Sequence, residues 1–394
     1  MMKQMKKMLA FVLIFALTLG LGSTFMATTI TAEDAAEEAT EESTEETTEK
    51  AADKSADKST EKSADKNAEK SAKDSPKESK KEPADSSDAI QVLALKGPTA
   101  MGLASWFDEA GDEAWPAVDY EILASPDLLA PEIAKGNYDL ALMPGNLAAK
   151  LYKKTEGDLR FMALSTLSVL HICETGDTIK TLDDLSGRTI VLSGKGATPD
   201  LLIQRIIDEA GLKDVTLEYV PEHQAVVQAL ADDGEKVALL PEPFVTIASA
   251  KIDNLHIALA MTDLWTDVMS DKDKGETPAQ IVQGVLVART DWLKENPELA
   301  KEALDAFKRS TEIALEEPEV AAKAIANLDL FPYEIALKAL PNCGLTAESD
   351  EDAQTTFQDF LEALDDSKLP LPDEEFYENG IEQEEEEEEL EKAA

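Results

Sequence analysis

The sequence predicts an α/β fold of two lobes joined at a hinge, with a cleft between them. Two observations carry that prediction. From Ala89 to about Pro372, short β-compatible apolar runs alternate with helix-like segments, the pattern of sheets covered by helices. The pattern then restarts after "ETGDT", Glu174 to Thr178, and the chain returns to its first unit through "QIVQGVLVART", Gln280 to Thr290. One lobe made from both ends of the sequence, with the other inserted, implies two crossings, near Thr175 to Thr178 and near Gln280 to Gln283. Two such crossings form a hinge.

Each element has its own warrant. Ile90 to Leu95 reads as a strand, Gly97-Pro98-Thr99 breaks it, and Ala100 to Ala110 has helical spacing. Tyr120 to Ala124 is a second strand, and Asp127 to Lys135 a helix. "YDLALMPGNLAAKLYKK" gives a strand to Met143, a turn at Pro144-Gly145-Asn146 and a helix from Leu147. Phe161 to Cys173 is long enough for one strand that continues past a single sheet. In the second unit, "GRTIVLSGKGATPDLLIQRIIDEAG" is strand, glycine turn and helix, stopped by Gly211. "VTLEYVP" is a strand and "EHQAVVQALADDG" a helix, while "KVALLPEPF" is a strand that breaks at a proline-framed Glu242. Asn296 before Pro297 marks a helix start, with Ala300, Ala303, Leu304, Phe307, Thr311, Ala314 and Leu315 on one face. Interleaving of this kind predicts mainly parallel sheets.

Composition divides the rest of the chain. Residues 1–32 read as a secretory signal, with Lys3, Lys6 and Lys7 before the apolar run Met8 to Leu21. Residues 33–88 lack aromatic residues and read as a disordered charged tether, and 378–394 as an acidic tail. The folded ranges are 89–176 for the first part of lobe 1, 177–281 for lobe 2, and 282–377 for the return to lobe 1 with C-terminal helices. An exported protein outside the cell, in the periplasm or at the cell surface, is the expectation, with an uncleaved signal and tether holding it there as the alternative. The cysteines, Cys173 and Cys343, are expected to be buried free thiols, and neither follows the apolar run where a lipid anchor needs one. The net charge of -44, most of it in the folded part, argues against a nucleic-acid partner.

The chemistry concentrates at strand-to-helix turns. Gly97-Pro98-Thr99, Pro144-Gly145-Asn146 and Gly194-Lys195-Gly196-Ala197-Thr198 place small or hydroxyl residues where helices begin, on the sheet edge that faces a ligand crevice. Free N–H groups and the helix dipole there suit an anion or polar acceptor, with Thr99 as the cap of a helix facing the ligand. Ordinary N-capping is the competing reading for Thr99 and Thr198. Glu242, held between prolines, reads as a hydrogen-bond acceptor at the cleft edge or as a surface acid. Pro199 stands where the dinucleotide fingerprint needs glycine, and the phosphate-loop pattern is absent, which argues against nucleotides. His171, His223 and His256 have no zinc-site spacing, no Gly-x-Ser-x-Gly elbow occurs, and no cofactor is expected. Trp265 fits core packing better than ligand stacking.

Taken together, "LKGPTAMGLA", "YDLALMPGNLAAKLY", "GKGATPDLLIQRIIDEAGL", "YVPEHQAVVQALADDG", "ALLPEPFVT" and "LPNCGL" resemble the extracellular substrate-binding proteins of ABC transporters. The resemblance is to the branch of sulfonate, nitrate, taurine and thiamine-precursor binders. It implies a two-lobed periplasmic-binding-protein type II-like fold and delivery of a small molecule to a membrane permease with its ATPase. The protein would be a monomer. The ligand contacts it implies are Gly97, Pro98, Thr99, Pro144, Asn146, Thr166, Gly196, Ala197, Thr198 and Glu242, none with a catalytic role. A pyrimidine or thiamine precursor is the expected cargo and a sulfonate-like anion the runner-up. A surface sensor on the same lobes, or a thiamine-pyrimidine enzyme, are the other functions this resemblance leaves open.

Overall fold

The computed structural model describes residues 89–109, 114–270, 278–364 and 369–381. The expected signal, the tether and the tail beyond Ile381 lie outside these residues.

The chain enters through β1 (Ile90–Leu95), two short helices α1 (Pro98–Gly102) and α2 (Ala104–Asp108), β2 (Val118–Leu123), α3 (Pro126–Lys135), β3 (Leu140–Pro144), α4 (Gly145–Lys154) and β4 (Leu159–Thr166). It crosses at Leu167–Val169 into β5 (Leu170–Thr175), then β6 (Thr189–Ser193), α5 (Thr198–Ala210), β7 (Thr216–Val220), α6 (His223–Asp232), β8 (Val237–Pro241), α7 (Phe244–Lys251), β9 (Leu255–Ala260) and α8 (Met261–Met269). It returns through β10 (Gly284–Arg289) to the helices α9 (Thr290–Glu295), α10 (Pro297–Glu316), α11 (Pro318–Asn327), α12 (Tyr333–Ala339) and α13 (Glu351–Ala363).

Two five-stranded sheets result, ordered β2-β1-β3-β10-β4 and β7-β6-β8-β5-β9. Each is mixed rather than mainly parallel. β1 runs parallel to β2 and β3, and β6 parallel to β7 and β8, but β10 is antiparallel to both its neighbours and so is β5. The antiparallel strands are those that have just arrived from the other lobe, so they enter their sheet from the opposite end.

The crossing itself corrects the sequence reading. Phe161 to Cys173 is two strands in two sheets, and the passage falls at Leu167–Val169, ahead of the expected Thr175 to Thr178. Apolar periodicity continues through the break because both strands are buried on both faces, so the pattern carries no mark of the change of sheet. The helix expected over Ala100 to Ala110 is broken after Gly102, and Leu315, expected on the buried face of α10, is exposed at the last turn.

Alternating side chains divide the core into two layers. Val92, Ala94 and Val191 join one, while Leu93, Ile190 and Leu192 join the other. Phe307 of α10 and Ile325 of α11 cover the first, Phe357 and Phe360 of α13 the second. Both cysteines are buried and unpaired, and Trp265 packs in the core with its Nε1 donating to Ala279 O at 2.8 Å. Beyond α13, Phe376 is fully buried against Tyr152, and Asn379 Nδ2 donates to Phe161 O at 3.1 Å, pinning the final segment to lobe 1.

Candidate functional site

The ends of β1, β3 and β4 in one lobe and of β6, β7 and β8 in the other converge on the cleft between the sheets. At its inner end lies a cavity of about 110 Å³ walled by both lobes. Of the expected contacts, Gly97, Pro98, Thr99, Pro144 and Thr166 line it from the first lobe and Ala197 from the second. A larger outer recess of about 390 Å³ shares Lys96, Ala124, Glu222 and His223 with it, so the two are one continuous cleft. Phe244 and Phe331 form its apolar side, ring edge to ring face at 5.8 Å.

Thr99 does not cap a helix. Gly97 occupies the N-cap of α1 at φ 149°, a conformation open to glycine, and the Thr99 hydroxyl donates to Leu95 O at 2.8 Å. The hydroxyl thereby fastens the turn that the glycine makes possible. A side chain at Gly284 would bring its Cβ within 2.9 Å of Thr99 Cγ2 and 2.7 Å of Ser165 Oγ, so glycine there lets β4, β10 and α1 close on one another.

Asn146, Gly196 and Thr198 bind one another across the lobes. Asn146 Nδ2 donates to Gly196 O at 2.8 Å, and the Thr198 hydroxyl donates to Asn146 Oδ1 at 3.1 Å. Lys150 Nζ adds a third contact to Gly196 O at 3.2 Å. Asn146 and Thr198 are almost fully buried. Thr198 is the first residue of α5, and Ala197 holds the N-cap without a side-chain bond. These residues form a polar latch.

Two helix N-termini on the second lobe already hold a carboxylate of their own. Asp200 Oδ2 accepts from Gly196 N at 2.7 Å, and its other oxygen accepts from Tyr219 and Gln204. Glu242 is 4% exposed, and its Oε2 accepts from Thr246 N at 3.0 Å in the first turn of α7. Its side chain is thus turned to the helix rather than to the cavity. Burial raises the Glu242 pKa, while the Thr246 bonds and Lys338 act the other way. Burial, with Glu242 nearby, pushes Cys173 up to about 12 and moves Cys343 in the same direction, so both thiols stay protonated.

Among the wall residues not expected as contacts are the polar side chains of His223, Ser193 and Gln283. His223 Nδ1 is 2.8 Å from Ser193 Oγ, and the ring lies 4.9 Å from that of Phe244. Burial pushes its pKa down to about 4, which keeps the imidazole neutral at pH 7. Gln283 N donates to Thr166 O at 2.8 Å, and Gln283 O accepts from Gly145 N, so this residue ties β4 to the start of α4. Ser193 ends β6, His223 opens α6 and Gln283 lies at the return crossing, positions at which strand-to-helix turns and lobe crossings meet the cleft. Among the described residues no cluster of three His, Cys, Asp or Glu side chains fits a metal ion.

The family model described as NMT1/THI5 like matches residues 117–321, just over half the chain. Among solved structures, an ABC transporter from Parabacteroides distasonis aligns with a TM-score of 0.60 at 22% identity, covering 74% of this chain and 98% of that one. The periplasmic aliphatic sulphonate binding protein SsuA from Escherichia coli aligns at 0.55 with 15% identity, covering 71% and 86%. A Candida albicans protein with the generic periplasmic binding protein structural fold aligns at 0.50 with 12% identity, covering 70% and 90%. At such identities the likeness shows the fold, two α/β lobes of the periplasmic-binding-protein type. No curated protein matches the sequence.

Proposed function

Because the chain belongs to the NMT1/THI5-like family, we propose that it is the exported solute-binding component of an ABC-type importer, which captures a small polar molecule between its lobes and hands it to a membrane permease. One observation carries this reading: the cavity is walled by the strand ends of both lobes, so a molecule held there contacts each lobe and favours the closed arrangement over any open one. Family and fold are those of binding proteins, as are the solved structures of an ABC transporter and a sulphonate binding protein that align with the chain. The contacts available in the cleft are hydrogen bonds and apolar walls. Capture and release is therefore the work assigned to Gly97, Pro98, Thr99, Pro144, Thr166 and Ala197, with Asn146, Gly196 and Thr198 acting between the lobes and Glu242 supporting α7.

The test is thermal melting of the full chain against pyrimidines, sulfonates, nitrate and amino acids. A true cargo at about a hundred times its dissociation constant adds roughly 2.7 kcal/mol. Small-angle scattering of the saturated protein should show it no larger than, and on opening-closing exchange more compact than, the protein alone. A panel without a melting shift, or a ligand bound outside the cleft, overturns the reading.

A further inference from the structure

We propose that the cargo is uncharged, and that Thr166 and Gln283 select it by donating hydrogen bonds to its acceptors. The inference rests on the capture reading above and narrows it by excluding anions from this cleft.

An anion in such a cleft needs helix N-termini or cationic side chains, and at the starts of α4, α5 and α7 N–H groups are already bonded within the protein. In α5 the Gly196 N–H goes to the Asp200 carboxylate and the Ala197 N–H to Gly194 O. In α7 the Thr246 N–H goes to Glu242, and in α4 the Gly145 N–H goes to Gln283 O. Asp200 and Glu242, 2% and 4% exposed, therefore occupy with their own carboxyl oxygens N–H groups at the starts of α5 and α7 that an anion would otherwise use. The cations are committed too. Lys150 binds Gly196 O, Lys195 lies over the Tyr219 ring at 5.1 Å, and Arg289 donates to Gly136 O at 2.6 Å. Lys96 alone lines the cavity, exposed at its rim above the Phe331 ring at 5.4 Å, with Glu222 on the same wall.

What remains at the inner end is a pair of uncharged donors. Thr166 is 2% exposed and lines the cavity, and its Oγ1 has no hydrogen-bond partner among the described residues. Gln283 lines the same wall, and its Nε2 is likewise buried without one. Their backbones are joined by the bond from Gln283 N to Thr166 O, so the two residues are neighbours where the chain passes between the lobes, at the end of β4 and just before β10. Buried donors in folded proteins are nearly always satisfied, so an unsatisfied pair beside a cavity marks where an acceptor belongs. A carbonyl oxygen or ring nitrogen meets both without bringing charge.

Isothermal titration of the full chain with matched probes tests this. The uncharged set is cytosine, nicotinamide and benzamide, and the anionic set is orotate, nicotinate and benzenesulfonate. The expected result is heat from a member of the uncharged set only, with Thr166→Val and Gln283→Met each weakening that binding at least tenfold while melting as the wild type does. Binding of an anionic probe as tight as its uncharged match, or unchanged affinity in both variants, overturns the inference and leaves solute capture standing. No heat from either set at millimolar concentration overturns the capture reading together with it.

Discussion

His223 shows how one side chain can report on the cleft. Its pKa in the fold is about 4, against 6.5 for a free imidazole. Between those values the unfolded chain binds more protons than the folded one, so stability rises with pH through that window. The contribution is complete above pH 6.5 and is lost as pH falls toward 4. Melting temperatures measured from pH 7 to pH 4 should therefore fall less steeply in His223→Asn than in the wild type; equal slopes would remove the histidine from the account. Residues of this kind were legible only in part. Gly97 and Thr99 could be placed at a strand-to-helix turn because turn chemistry is local, whereas Thr166 entered only through the family resemblance. His223 becomes a wall residue only once Ser193 and Phe244 are brought to it from other strands, and that adjacency is decided by sheet order.

Among elements, β5 carries the clearest consequence. Its Glu174 is fully buried, and its carboxylate accepts from Thr178 N at 2.6 Å, Ile179 N at 2.7 Å and the Thr178 hydroxyl at 2.6 Å, closing the loop that follows the strand. Burial works against the charge, but these bonds outweigh it and hold the pKa below its ordinary 4.5. A depressed carboxyl contributes stability that is present above pH 4.5 and lost as pH falls below it. Glu174→Gln, which keeps the shape and removes the charge, should cost about 1–2 kcal/mol at pH 7 in chemical denaturation. The gap from wild type should narrow below pH 4.5, and a pH-independent gap would contradict the assignment. The strands and helices were legible in the sequence because apolar runs and glycine stops are strong local signals. The sheet to which β5 belongs was not, since a strand buried on both faces reads the same in either lobe.

At the scale of the molecule, the bonds of Asn146 with Gly196 and Thr198 join the two lobes, and they are expected to set how readily the lobes part. Asn146→Ala removes both bonds and strands the Thr198 hydroxyl, so its radius of gyration in small-angle scattering should exceed that of the wild type. A melting loss of about 1–3 kcal/mol should accompany it. Equal radii would show that the latch does not govern opening. Strand order has a second effect, on the sequence of assembly as the chain emerges from its N-terminus. In its sheet β4 pairs with β10, and among the described residues the chain beyond β10 is helical apart from the segment whose Leu345 bridges Thr166. All five strands of the other sheet lie between Leu170 and Ala260. The inserted lobe thus has its full set of strands while the first sheet still lacks the one that joins β3 to β4. During synthesis, the later-starting lobe is the one that can finish first, and the cleft is expected to form last, when Gly284 to Arg289 slides into place.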